Sequence, residues 1–455
     1  MNEPLPSRTS RYHDALAAIW DRSGYDRGFI SNPFAGDDAA RLGLVRTRRL
    51  LDQLGAPDAD LNIVHVAGSN GKGSTCAFIE SVARAAGYRT GRYTSPHLHQ
   101  FRERFAVDGV PIAEADFAEQ LFAALAATES VEREEPALGA ITAFELTTAM
   151  AFAVLTAHGC ELAIIETGMG GTLDATNVVS PLAAAITPLD YEHTAVLGAT
   201  MTEIAGNKAG IIKAGRPVAV AAQPAEAMPV IAARADELGS PLLRAERDWR
   251  VSGSWQHFTA EGPWGHVANL RSGLVGAHQM ENTGLALAVC DLLTADGFRF
   301  SEPAMRSGIA TTTWPGRFEE VSLASGQRIV VDGAHSPAAA RVLADALAAR
   351  YPGERAAFVL GVLADKDVWA FVAALAGQAD HWVLAKPAGP RGRPVHQLLA
   401  DLDDIQPPPR GATSVAEAID LAIDTGASLI VVAGSLATVA EARVALGLAT
   451  NDPAP

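Results

Sequence analysis

The 455-residue sequence has only three cysteines, Cys76, Cys160 and Cys290. They are odd in number, far apart and in no metal-ligand spacing, which argues against a disulfide framework and fits a reducing, cytoplasmic setting. A basic tract is also missing. Lys and Arg number 36 against 52 Asp and Glu, a formal net charge of −16. That balance argues against non-specific binding to nucleic acid or to an anionic membrane. No long apolar run occurs: the richest, Leu146–Val154, is too short to span a bilayer. Met1–Tyr12 has no apolar stretch of the signal-peptide kind. Internal repeats and heptads are absent from the sequence.

What is present is an ordinary globular balance, 48% hydrophobic and 19% charged, in a chain long enough for two domains. Ile63–Val66, Leu162–Ile165, Ala183–Thr187 and Pro217–Ala221 read as short buried strands. Ser74–Ala86 and Phe144–Ala157 read as helices between them. A second such series starts late, with strands at Ile329–Val331, Ala357–Leu360, His381–Leu384 and Leu429–Val432 and a helix at Pro337–Ala349. Alternating strand and helix signals predict α/β architecture: a mostly parallel sheet of the P-loop type flanked by helices, then a smaller Rossmann-like α/β domain. Trp-Pro-Gly at 314–316 breaks any helix and sets the boundary, giving domains 1–314 and 315–455. Trp249–Leu274, rich in Gly, Trp and Ser, reads as short irregular β structure.

Gly68-Ser69-Asn70-Gly71-Lys72-Gly73-Ser74-Thr75 follows a strand and opens a helix. That is the context of a phosphate-binding loop: glycines let backbone N–H groups face phosphate, the helix N-terminus adds its dipole, and Lys72 adds charge. Ser74 or Thr75 offers a hydroxyl to Mg²⁺. The spacing is shorter than G-x-x-x-x-G-K-[ST], and the plain alternative is a Gly-rich turn with a solvated lysine.

From this loop onward the sequence resembles the folylpolyglutamate synthase/dihydrofolate synthase family, related to the Mur ligases. Matching segments follow in order: Thr94–Leu98 with Arg102–Arg104, Thr142–Glu145, Glu166–Gly171 with Leu173–Asn177, Asp190–His193 and Lys208–Lys213. Later come His278-Gln279 with Asn282, Trp314–Arg317, Asp332–His335, Asp365–Asp367 and Gly434–Leu436. The resemblance implies an ATP-dependent ligase that adds L-glutamate to dihydropteroate or to reduced folates through an acyl phosphate, working as a monomer. It implies ATP held by Asn70, Gly71, Lys72, Gly73, Ser74, Asn282, Arg317, Asp332 and His335. Two Mg²⁺ sites are implied, drawn from Ser74, Ser95, Glu166, His193 and a Lys208 carbamylated by CO₂. Lys72, His193 and Lys208 are the implied catalytic residues. The folate would meet Thr142, Phe144, Glu145, Leu173, Asp174 and Ala175, with Leu42-Gly43-Leu44 as a lid. Arg391 or Arg393 would hold the glutamate carboxylates.

Each implied residue has an ordinary alternative. Phe144 at helical spacing suits a core, Asp332 in Asp-Gly suits a turn, and a lone histidine is more often structural than a metal ligand. Three positions depart from the family's pattern: Thr172 where many relatives have arginine, Asn207 where many have glutamate, and Ser336 where asparagine is commoner. Two other functions remain open at this point. One is a Mur-type ligase acting on another carboxylate; the other is a P-loop protein that binds nucleotide without catalysis.

Overall fold

The computed structural model describes residues 8–23 and 37–452. Met1–Ser7, part of the segment examined for a leader, lies outside them. The first sheet holds eight strands: β1 Ile63–Ala67, β2 Thr90–Tyr93, β3 Phe105–Val107, β4 Val110–Pro111, β5 Leu162–Glu166, β6 Ala183–Ile186, β7 Val218–Val220 and β8 Leu242–Arg244. Their order is β4-β3-β2-β5-β1-β6-β7-β8. From β2 to β8 all pairs are parallel, and β3 and β4 add an antiparallel edge. β1 is central, so the loops after β5, β1 and β6 open side by side at one end of the sheet, where open α/β sheets bind ligands.

Strand alternation decides which face each residue serves. Val64, Val66 and Ile164 point into one core with the helices Lys72–Ala85 and Ala277–Leu293. Ile63, Ala163 and Ile165 point into the other, under the helices Glu114–Glu134 and Ala143–Ala157. Burying each Val or Ile side chain contributes roughly 1.5–3 kcal/mol. With cores on both faces, β1 and β5 are apolar apart from His65 and the terminal Glu166, and these apolar runs made them readable.

Trp249–Leu274 is more regular than its composition suggests. β9 Arg250–Ser254, β10 His257–Gly262 and β11 Gly265–Leu270 form a three-stranded antiparallel sheet. The third sheet contains β12 Glu319–Ser322, β13 Arg328–Val331, β14 Ala356–Leu360, β15 Ala379–Leu384, β16 Arg410–Gly411 and β17 Leu429–Ala433, in the order β12-β13-β17-β14-β15-β16. Only β12 runs antiparallel. The chain's end returns to the first domain: Asp452 accepts hydrogen bonds from the Tyr12 hydroxyl (2.8 Å) and the Phe101 N–H (2.7 Å). No helix among the described residues is long and apolar enough to cross a membrane, and the three cysteines are buried and unpaired.

Candidate active site

After β1 the chain turns through Gly68 (φ +148°) and Gly71 (φ +86°) into the helix that begins at Lys72. Both glycines are required. A Cβ on Gly68 would lie 1.8 Å from Thr187 Oγ1, and one on Gly71 would lie 2.5 Å from Asn282 Oδ1. A Cβ on Gly73 would stand 2.8 Å from the Trp314 ring. The end of β6, the Asn282 helix and the interdomain linker therefore all close on this loop. Ser69 and Asn70 donate their N–H groups to Pro188 O (3.2 and 3.1 Å). Lys72 Nζ donates to Gly68 O (2.9 Å) and Ser69 O (3.3 Å). Ser74 is buried in the first turn of that helix.

Beside the loop, Glu166 ends β5 and is 4% exposed. Its Oε2 accepts the Ser95 N–H at 3.1 Å. Burial raises its pKa, while Lys72, the Ser95 hydrogen bond, Arg317 and Arg92 oppose that rise. Lys208, buried in the helix Met201–Ala209, donates to Gly68 O (2.8 Å) and pairs with Glu192 Oε1 at 2.5 Å. Burial, then the neighbouring Lys72, lowers its pKa to about 8. His193 has the left-handed φ of +47°. Partial burial lowers its pKa, Glu192 opposes, and Lys208, Lys72 and Lys366 lower it further. Sequence reasoning gave Glu192 no role of its own. It lies 16 positions from Lys208, and only the loop after β6 brings them together. Among the described residues, no three His, Cys, Asp or Glu side chains gather as a metal-binding cluster.

The second domain adds groups from turns. Arg317 Nη1 donates to Gly316 O at 3.1 Å, and a Cβ on Gly333 would lie 2.3 Å from that nitrogen. Asp332 accepts the Phe318 and Ala334 N–H groups, each at 2.8 Å, one on each carboxylate oxygen. His335 Nδ1 donates to Gly333 O at 2.8 Å. Asp332 and Arg317 also act electrostatically on His278 of the first domain, so the two domains meet there. Asn282 Nδ2 donates to Gln279 Oε1 at 2.9 Å. Lys366 lies near His193 and His335. Arg391 is held by Asp365 at 3.3 Å, and Arg393 by Asp401 at 2.7 Å.

The proposed folate residues divide. Phe144 covers Gly168, where a Cβ would lie 2.3 Å from its ring. Asp174 is buried and accepts the Met169 N–H at 2.8 Å, flanked by a half-buried Leu173 and a buried Ala175. Thr142 caps the helix Ala143–Ala157 through the Glu145 N–H. Glu145 meets Arg46 twice, at 2.8 and 2.7 Å, and also accepts the Thr142 N–H at 2.9 Å. All three of these donors come from the protein. Leu42-Gly43-Leu44 lies inside the helix Asp37–Gln53, and Leu44 lines a cavity of about 390 Å³ with Arg48, Arg49 and Val178. Thr172 and Asn207, the two departures nearest the site, are bonded together: Thr172 Oγ1 donates to Asn207 O at 2.9 Å.

A phosphate loop with a buried carboxylate in one domain, and an arginine reaching it from the next, is an arrangement of ATP-dependent ligases. The Mur ligase, glutamate ligase domain family matches residues 316–436. Over 403 residues the chain is 36% identical to the dihydrofolate synthase/folylpolyglutamate synthase of Escherichia coli (strain K12), covering 88% of this chain and 90% of that one. The Bacillus subtilis (strain 168) protein of the same name is 35% identical over 331 residues, covering 71% and 76%. The structure of Mycobacterium tuberculosis folylpolyglutamate synthase complexed with ADP superposes with a TM-score of 0.86 at 30% identity, covering 98% of this chain and all of that one. E. coli FolC in complex with DHPP and ADP gives 0.82 at 33% identity, covering 97% and 99%. The chain belongs to the dihydrofolate synthase/folylpolyglutamate synthase family and is an ATP-dependent, ADP-forming ligase.

Proposed function

We propose that this enzyme joins the amino group of L-glutamate to the carboxylate of dihydropteroate and of reduced folates. The observation that carries the reading is the convergence on Gly68: Lys72 and Lys208 donate to the same carbonyl, and Lys72 also stabilises the charge of Glu166. Lys72 as the cation, with Lys208 and a buried carboxylate beside it at a helix N-terminus, suits a triphosphate facing an acceptor carboxylate. A carboxylate oxygen of the acceptor attacks the γ-phosphorus, the bond to the β-phosphate oxygen breaks, and ADP leaves. The glutamate amine then attacks the acyl carbon, phosphate departs with the C–O electron pair, and the amine loses a proton. His193, its pKa lowered, offers a neutral ring lone pair to that proton or to a cation.

Asn70, Gly71, Lys72, Gly73, Ser74 and Asn282 form the first-domain side of the ATP site, with Arg317, Asp332 and His335 opposite. Magnesium fits the donor set: Glu166 is a hard oxygen ligand, Oε1 has no hydrogen-bond partner among the described residues, and such an ion needs only one or two protein groups. When bound, it would neutralise the triphosphate and polarise the γ-phosphate. Ser74, Ser95 and Glu166 would hold one ion, and His193 with a carbamate on Lys208 a second. A pKa near 8 supports the carbamate, because only the neutral amine adds CO₂. Phe144, Leu173, Asp174 and Ala175 face the pterin, and Glu145 fixes the helix of Arg46 against that wall. Lys366, Arg391 and Arg393 are the cations offered to glutamate.

An ADP-release assay with dihydropteroate and tetrahydrofolate side by side tests the reading. Glutamate-dependent release with both acceptors is expected. Nucleotide binding without any acceptor-dependent release would sink it.

A further inference from the structure

His65 is an unexpected residue at the centre of β1, where every other side chain is apolar. It is fully buried, and burial lowers its pKa to about 3, so the ring is neutral. Nε2 lies 2.8 Å from Thr176 Oγ1, and Nδ1 has no partner. Thr176 Oγ1 in turn lies 2.5 Å from Asp174 Oδ1, which also accepts the Thr176 N–H at 3.0 Å. Asp174 Oδ2 accepts the Met169 N–H at 2.8 Å.

The direction of this chain follows from donor inventory. Asp174 accepts backbone N–H groups on both oxygens and the Thr176 hydroxyl on Oδ1, and these bonds oppose the rise in pKa that its burial causes. Thr176 must therefore donate its hydroxyl proton to Asp174 and accept from His65. That fixes the imidazole as the tautomer protonated at Nε2 and leaves Nδ1 bare, as found. An unpartnered buried nitrogen carries a desolvation cost that an apolar residue in this strand would avoid. What the histidine provides in return is a fixed acceptor loop, three residues before the phosphate loop begins.

We propose that His65 is a positioning residue for the acceptor: through Thr176 it sets Asp174, and with it the Gly168–Gly171 turn, against the pterin. This rests on the assignment of Asp174 to the folate site. The relay ties the acceptor wall to the strand that carries the phosphate loop, so both reactants are registered from one element.

Thr176→Val removes the hydroxyl with little change of shape, His65→Leu removes the donor, and Thr176→Ser restores the hydroxyl. Expected for Thr176→Val and His65→Leu is a rise of about tenfold or more in the acceptor KM, since small misplacement of reacting groups is costly. The ATP KM should change less than about twofold, and Thr176→Ser should restore the acceptor KM to near the parent's. Equal rises in both KM values, or no rise in either, overturn the proposal. If His65→Leu does not fold, the Thr176 pair decides. Asp174→Asn separates the two layers. If it leaves the acceptor KM unchanged, the folate assignment fails. If it raises that KM while Thr176→Val does not, the relay alone fails.

Discussion

The two halves of the site are held by different physics. In the first domain the phosphate loop is fixed by collision: Thr187, Asn282 and Trp314 stand so close that no side chain fits at Gly68, Gly71 or Gly73. In the second domain Arg317 and His335 are fastened to backbone one and two positions away, and Asp332 to the backbone of Ala334 and, across the β12–β13 hairpin, of Phe318. Packing against several elements sets one geometry for the loop before substrate arrives. Local turns shape their own residues and leave their distance from the phosphates to the packing of whole domains. Damage should therefore differ: substitutions at the first-domain glycines disturb both fold and chemistry, second-domain changes mainly the chemistry.

The largest effect is expected at Lys72, the lysine that opens the helix after the loop. Lys72→Ala should lower kcat about a thousandfold with a melt close to the parent's. Retained activity in steady-state assays would remove the lysine from the chemistry. Gly68→Ala comes next. With its Cβ against Thr187 and φ at +148°, it should cost about 2–4 kcal/mol in denaturant melts and weaken nucleotide binding. Arg317→Ala should cost about ten- to a hundredfold in kcat with no loss of stability. A destabilised Arg317→Ala would erase the contrast between the halves.

The smallest effect is a pH dependence. Lys208 has a folded pKa of about 8 against an ordinary 10.5. Between those values the unfolded chain holds the proton and the folded chain has released it, so stability rises with pH. Below pH 8 both states are charged and the burial penalty is fully present. In CO₂-free buffer the parent should gain about 1–3 kcal/mol relative to Lys208→Met from pH 8 to 10.5. A falling or flat difference in urea melts would show that the amine is not held as described.

Legibility followed the same division. Apolar strands such as Ile63–Ala67 and Leu162–Glu166 are readable because both faces are buried, and Gly68–Thr75 because collisions demand glycine. The strands Thr90–Tyr93, Phe105–Val107 and Val110–Pro111 are too short to show a period, and no sequence signal marked them. Glu145 matched a folate segment, yet its partner Arg46 lies 99 positions away, beyond any local pattern. His65 was invisible for the opposite reason: a single histidine in an apolar run has no sequence context that reveals Thr176 behind it.

In the proposed reaction the acceptor carboxylate is phosphorylated before glutamate attacks. Turnover of an acceptor labelled with ¹⁸O in its carboxylate, followed by mass analysis of the released phosphate, tests it directly. One labelled oxygen in each phosphate is the expected result. Unlabelled phosphate, with amide formed at the normal rate, would contradict it.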